Sequence, residues 1–125
     1  MAKQFKVEFC GDYVRTELMP DYSVGRENRV AMWKEIVEVC TANETQRVLI
    51  EGPVPKGERT TDEVVEAGKG TAAAPELWLA FHLWEFEPDE TSELYEAIAK
   101  AGGVRVRFFT DKAKALSWLR LNAPN

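Results

Sequence analysis

The stretch Val104-Arg105-Val106-Arg107-Phe108-Phe109-Thr110-Asp111-Lys112-Ala113-Lys114-Ala115-Leu116-Ser117-Trp118-Leu119 carries two periodicities back to back. Val104, Val106 and Phe108 alternate with Arg105 and Arg107, the period-2 pattern of a half-buried strand. From Thr110 the spacing changes. Ala115, Leu116, Trp118 and Leu119 fall on one helical face, with Thr110 expected to cap the helix. A strand running straight into a helix is the repeating unit of an α/β sheet.

The same alternation of elements extends upstream. Phe5, Val7 and Phe9 alternate with Lys6 and Glu8, Gly11-Asp12 offers a turn, and Tyr13 to Leu18 resumes strand chemistry, so residues 4–18 read as a β-hairpin. After Met19-Pro20-Asp21-Tyr22, Ser23 is expected to cap a helix with Val30, Trp33, Val37 and Cys40 on its inner face and Ile36 alongside, ending near Thr41-Ala42-Asn43. Val48-Leu49-Ile50 is a short apolar run bounded by polar residues, as in a central strand. Thr60 with Glu63 has the form of a capping box opening a helix through about Ala67. Leu77 to Trp84 is the most hydrophobic segment and reads as a buried strand. Pro88-Asp89-Glu90 opens a helix bearing Leu94, Ala97, Ile98 and Ala101, closed by Gly102-Gly103.

The expected architecture is α/β: a single mixed, mostly parallel β-sheet with helices packed on it, in the order β-β-α-β-α-β-α-β-α. Helices between strands imply parallel crossovers, and the hairpin adds one antiparallel strand. No repeat or linker marks a second unit, so residues 1–125 are read as one domain. That length suits a single core without a metal or disulfide staple.

Composition narrows the partners. Sixteen basic against 21 acidic side chains give a net charge of −5, which repels phosphate backbones, so nucleic acid is not an expected partner. No apolar run approaches the roughly 20 residues of a spanning helix, and the first residues lack the apolar core of a signal peptide. Cys10 and Cys40 fit neither a disulfide framework nor a zinc knuckle. A reducing cytoplasm is the expected setting, and Asn43-Glu44-Thr45 then has no meaning as a glycosylation acceptor.

The element order resembles that of STAS domains, the family of sulfate-transporter cytoplasmic domains and anti-sigma-factor antagonists. The closing segment, a strand ending in an aromatic followed by the Ala-Leu-x-Trp-Leu pattern of Ala115 to Leu119, is similar to the tail of the SpoIIAA-like branch. The resemblance covers the whole chain in order and only this segment in motif. It implies a binding or regulatory module, and some related folds bind lipids or other apolar molecules. One departure is informative. The antagonists carry an Asp-Ser phosphorylation motif at the start of the helix after the third strand, and here that place runs from Glu51-Gly52-Pro53 to Arg59-Thr60-Thr61-Asp62. Thr60 and Thr61 are the only candidate phosphoacceptors there, and capping is the commoner use of Thr60.

Other constellations are weighed against plainer explanations. Gly52 and Gly57 between a strand and a helix suggest a phosphate loop, but Glu58-Arg59 stands where Lys-Ser/Thr is needed, and Pro53 and Pro55 remove amide donors. His82, the single histidine, shares a strand face with Trp78, Ala80 and Trp84. One histidine makes no metal site alone, so neither metal nor cofactor is expected. Glu85, Glu87, Asp89 and Glu90 crowd the following helix start, where the helix dipole favours acids and where open α/β sheets gather ligands. Trp33 and Trp118 have core spacing, and Arg105 and Arg107 suit the guarding of a sheet edge.

The expected function is non-enzymatic binding of a protein partner or a small apolar molecule, with Trp78, His82, Trp84 and Glu85 as the contact residues. Two alternatives stand beside it. One is a small enzyme using His82 with carboxylates from Glu51, Glu85 or Glu87, which requires those groups to converge. The other is a structural homodimer built on edge strands.

Overall fold

Five strands and three helices follow from this pattern in a computed structural model that describes residues 5–19, 26–53, 77–84 and 89–123. The strands are β1 (Phe5–Phe9), β2 (Val14–Leu18), β3 (Arg47–Pro53), β4 (Trp78–Trp84) and β5 (Arg105–Phe108). The helices are α1 (Arg26–Ala42), α2 (Glu90–Ala101) and α3 (Lys112–Asn122). The expected Ser23 cap, the helix from Thr60 to Ala67, Thr61, Glu85 and Glu87 lie outside the described residues. Among those residues the order is β-β-α-β-β-α-β-α.

All five strands form one sheet in sequential order, β1-β2-β3-β4-β5. The hairpin closes around Gly11-Asp12, where Gly11 takes φ +91° and the Cys10 N–H donates to the Tyr13 carbonyl at 2.8 Å. β1 and β2 are antiparallel, while β2 to β5 are parallel.

The two sheet faces carry separate cores. One buries Val14, Val48, Ile50, Leu79 and Leu83 against Met32, Ile36 and Cys40 of α1 and Ala99 of α2. The other buries Leu49 and Ala80 beneath Ala115 and Leu119 of α3, with Tyr13 at its margin. Burying a leucine such as Leu49 or Leu119 contributes about 1.5–3 kcal/mol, so α3 is held to its face mainly by apolar contact. Its carboxyl end is also tied electrostatically. Arg47 donates to the Arg120 and Ala123 carbonyls, and Asp12 accepts from Arg47 and Arg120, the latter at 2.8 Å. Asp12 is held below the usual carboxylate pKa, chiefly by the Arg120 hydrogen bond.

Two local expectations, the inner stripe of α1 and the cap of α3, are corrected, and the buried face of α2 is resolved. The inner stripe of α1 is Met32, Ile36 and Cys40, whereas Val30 is 61% and Val37 40% exposed. Apolar residues occur nearly all round this helix, so spacing alone admits either stripe. On α2 the buried positions are Ser92 and Ala99, and Ala97 and Ala101 are exposed. The cap of α3 is Asp111, one residue beyond Thr110, because its carboxylate reaches the Ala113 N–H at 2.7 Å. In addition β3 runs on through Glu51, Gly52 and Pro53, so Gly52 is a strand residue paired with Leu83.

Candidate functional site

Strand alternation places Arg15, Glu17, Leu49, Glu51, Ala80 and His82 on the α3 face of the sheet. Glu17 pairs with Glu51, and Glu51 pairs with His82, across three adjacent parallel strands. Toward the amino ends, α3 covers this face with its apolar contacts. Toward the carboxyl ends, among the described residues, the amino-terminal turn of α3 reaches the strands through Lys112, and there the polar side chains collect.

Glu51 is the centre of that collection, with its side chain 3% exposed. Its Oε1 accepts from Arg15 Nε and, at 3.3 Å, from Lys112 Nζ of α3. Its Oε2 lies 3.4 Å from His82 Nδ1. The Arg15 guanidinium is shared, donating also to Glu17 Oε1 at 2.9 Å and Glu8 Oε1 at 3.2 Å. A carboxylate so buried persists as an ion only when cations compensate its lost hydration.

The titration behaviour reflects this contest. Burial pushes the Glu51 pKa upward, but the hydrogen bond and charge of Arg15, joined by His82 and Lys112, prevail and hold it below the usual carboxylate value. For Arg15, burial lowers the pKa, but its bonds to Glu51 and Glu17 outweigh burial and raise it above the ordinary value. Because ionised Glu51 can only accept, the His82 Nδ1 facing it must carry the proton. Nε2 is then the ring nitrogen that does not face Glu51.

The residues expected from sequence divide here. His82 joins the network, and Trp84, two residues on along the same face of β4, is 44% exposed. Trp78 lies beneath α3 instead, its ring 5.6 Å from that of Trp118 and under the Arg105 guanidinium at 4.5 Å. It is therefore part of the α3 core. Glu85, Thr60 and Thr61 lie outside the described residues. Of the carboxylates considered with His82, Glu51 lies 3.4 Å from its Nδ1, while Glu87 also falls outside the described residues. Arg15, Glu17, Glu8 and Lys112 were missed by sequence reasoning. A signal existed for the first two, since a charged Arg15/Glu17 face opposes the apolar Val14/Leu18 face on β2.

Among the described residues no group of three or more His, Cys, Asp or Glu side chains could hold a metal ion, and no helix is long and apolar enough to cross a membrane. Cys40 is buried and its thiol pKa is pushed up to about 11 by burial, which makes it a poor nucleophile.

No protein-family model and no curated protein matches the chain. Among solved structures, the apo form of the Mtb enoyl CoA isomerase is similar over 65% of this chain, with 8% identity and a TM-score of 0.45. The match spans 42% of that enzyme's length, and at this level it bears on neither family nor chemistry. The described residues form a protein of the α/β class, with one five-stranded mixed sheet.

Proposed function

We propose that the chain is a binding module of STAS-like, SpoIIAA-like type, taking a small molecule that is largely apolar and carries one polar group. The observation that carries this reading is the half-exposed pair of groups flanking buried Glu51. Lys112, 45% exposed, and Trp84, 44% exposed, border the charge network at the carboxyl ends of the parallel strands. That is where open α/β sheets place their ligands. The Trp84 indole offers a flat apolar surface, and Lys112 and His82 offer donors to a polar head. Glu51 is consumed in holding Arg15, Lys112 and His82 in position.

Native mass spectrometry of protein purified without detergent is expected to show an added mass of a few hundred daltons, about the size of an ordinary pocket ligand. The His82→Ala/Trp84→Ala variant should keep its circular dichroism spectrum and lose that mass, while melting somewhat lower because Glu51 loses one of its partners. An unchanged adduct in the double variant removes the site. A wild-type spectrum without adduct turns the reading toward a protein partner.

A second reading rests on the Glu51–His82 contact itself. A carboxylate that fixes Nδ1–H orients an imidazole for general base work through Nε2. It predicts hydrolysis of an activated ester such as 4-nitrophenyl acetate above the rate of the His82→Ala variant. Equal rates for the two proteins eliminate it.

A further inference from the structure

We infer that β1 is a docking edge for a second copy of this chain, joined antiparallel about Val7 so that the sheet runs continuously through both copies. The inference is independent of the proposed ligand site and rests on three observations.

The first is the direction of the backbone groups. The Cys10 N–H donates across the hairpin to the Tyr13 carbonyl, and in an antiparallel ladder such inward-facing residues alternate. Residues 6, 8 and 10 therefore face β2, and the N–H and C=O groups of Phe5, Val7 and Phe9 point away from it. No strand lies beyond β1 among the described residues.

The second is the self-complementarity of Phe5-Lys6-Val7-Glu8-Phe9 under a two-fold axis. With Val7 opposite Val7 of the other copy, Phe5 meets Phe9, and Lys6 meets Glu8, each pair occurring twice. The outward-facing residues 5, 7 and 9 then pair only with one another. Charge, aromatic pairing and hydrogen-bond parity thus select the same register, where a shift of one residue would break all three. Phe9, 39% exposed, gains the most cover.

The third is the contrast with the opposite edge. On β5 the Phe109 N–H donates to Phe81 of β4, so the Phe108 N–H faces outward, and Glu96 Oε1 of α2 accepts it at 2.9 Å. That edge is blocked by a side chain and flanked by Arg105 and Arg107. β1 has no comparable plug among the described residues, and its charges alternate in sign.

A five-residue edge buries less than a standard interface, so the dimer is expected to be weak, with a dissociation constant in the micromolar range. Sedimentation equilibrium from about 1 to 500 μM, spanning that range, should show a monomer–dimer equilibrium for the wild-type chain. Lys6→Glu and Glu8→Lys each place like charges opposite one another twice and should each weaken the dimer about tenfold. Mixing the two variants restores opposite charges and should recover wild-type affinity as a heterodimer. In the wild type, amide exchange at Phe5, Val7 and Phe9 should slow with concentration, while Lys6 and Glu8 stay constant. A strictly monomeric wild type, a mixture no tighter than its components, or concentration-independent exchange at all five amides overturns the proposal.

Discussion

Replacing Glu51 with alanine is expected to cost about 2–3 kcal/mol of folding stability, read as a lower urea midpoint at neutral pH. Breaking a buried ion pair leaves its partner charged and poorly hydrated, which typically costs 3–5 kcal/mol. The lower figure applies because Arg15 keeps Glu17 and Glu8, and because Lys112, nearly half exposed, returns to water at little cost. Glu51→Gln keeps the shape and one acceptor, so it should lose less. Its diagnostic value lies in pH. The folded Glu51 pKa lies below the unfolded value, so its contribution is present above the unfolded pKa, near 4.5, and is lost as pH falls through the folded one. The stability gap between wild type and Glu51→Gln should therefore be full above about pH 5 and should close in stronger acid. A gap that stays constant or widens down to about pH 3 would show that Glu51 is not held as an ion by its neighbours.

The neighbouring Gly52→Ala is expected to be the costlier change. Gly52 takes φ +139°, and a Cβ built there falls 2.5 Å from the Leu18 carbonyl oxygen and 3.0 Å from Leu18 Cβ and N. The nearest obstacle is backbone, so no side-chain rotation relieves it. β2 must move away from β3, and the residue must also bear a conformation that L-amino acids avoid. Together these should cost roughly 3 kcal/mol or more and lower the melting temperature by about 10 °C. A shift of only a degree or two would mean that β3 relaxes locally without moving β2. If β2 does move, Arg15 parts from Glu51, so Gly52→Ala combined with Glu51→Gln should lose less than the sum of the two.

Why Gly52 and Glu51 escaped notice as a unit illustrates what this sequence exposes and what it hides. The hairpin and β5 were legible because period-2 alternation is local information, and β4 because a continuous apolar run is equally local. So was the packing of Trp118 on the sheet, because Ala115, Leu116, Trp118 and Leu119 lie within one helix. The end of β3 was hidden by Gly52-Pro53, which reads as a loop when the neighbouring strands are unknown. The inner stripe of α1 was ambiguous because valines flank it on both sides, and only the sheet decides which stripe is buried.

The charge network was hidden for a different reason. Arg15 and Lys112 lie 36 and 61 residues from Glu51, and nothing in the sequence near any of the three names the others. His82 and Trp84 were singled out because a lone histidine among tryptophans is conspicuous on an apolar strand, and the structure places His82 beside Glu51 and leaves Trp84 half exposed. Trp78 carried the same local signal yet belongs to the core, since its position along β4 falls beneath α3 and that of Trp84 does not. Separating them required the register of the last helix, which is a tertiary fact.

The sequential strand order has a consequence for how the chain reaches this state. Each strand from β2 to β5 pairs with the one synthesised just before it. Among the described strands, none must wait for a distant segment to be inserted between itself and its neighbour. The sheet can grow from the hairpin by addition at one side, each new βα unit docking on a template already in place. Such growth keeps loop closures short and favours fast folding for a largely parallel sheet. It also allows assembly to keep pace with emergence from the ribosome, where the amino-terminal half is available first.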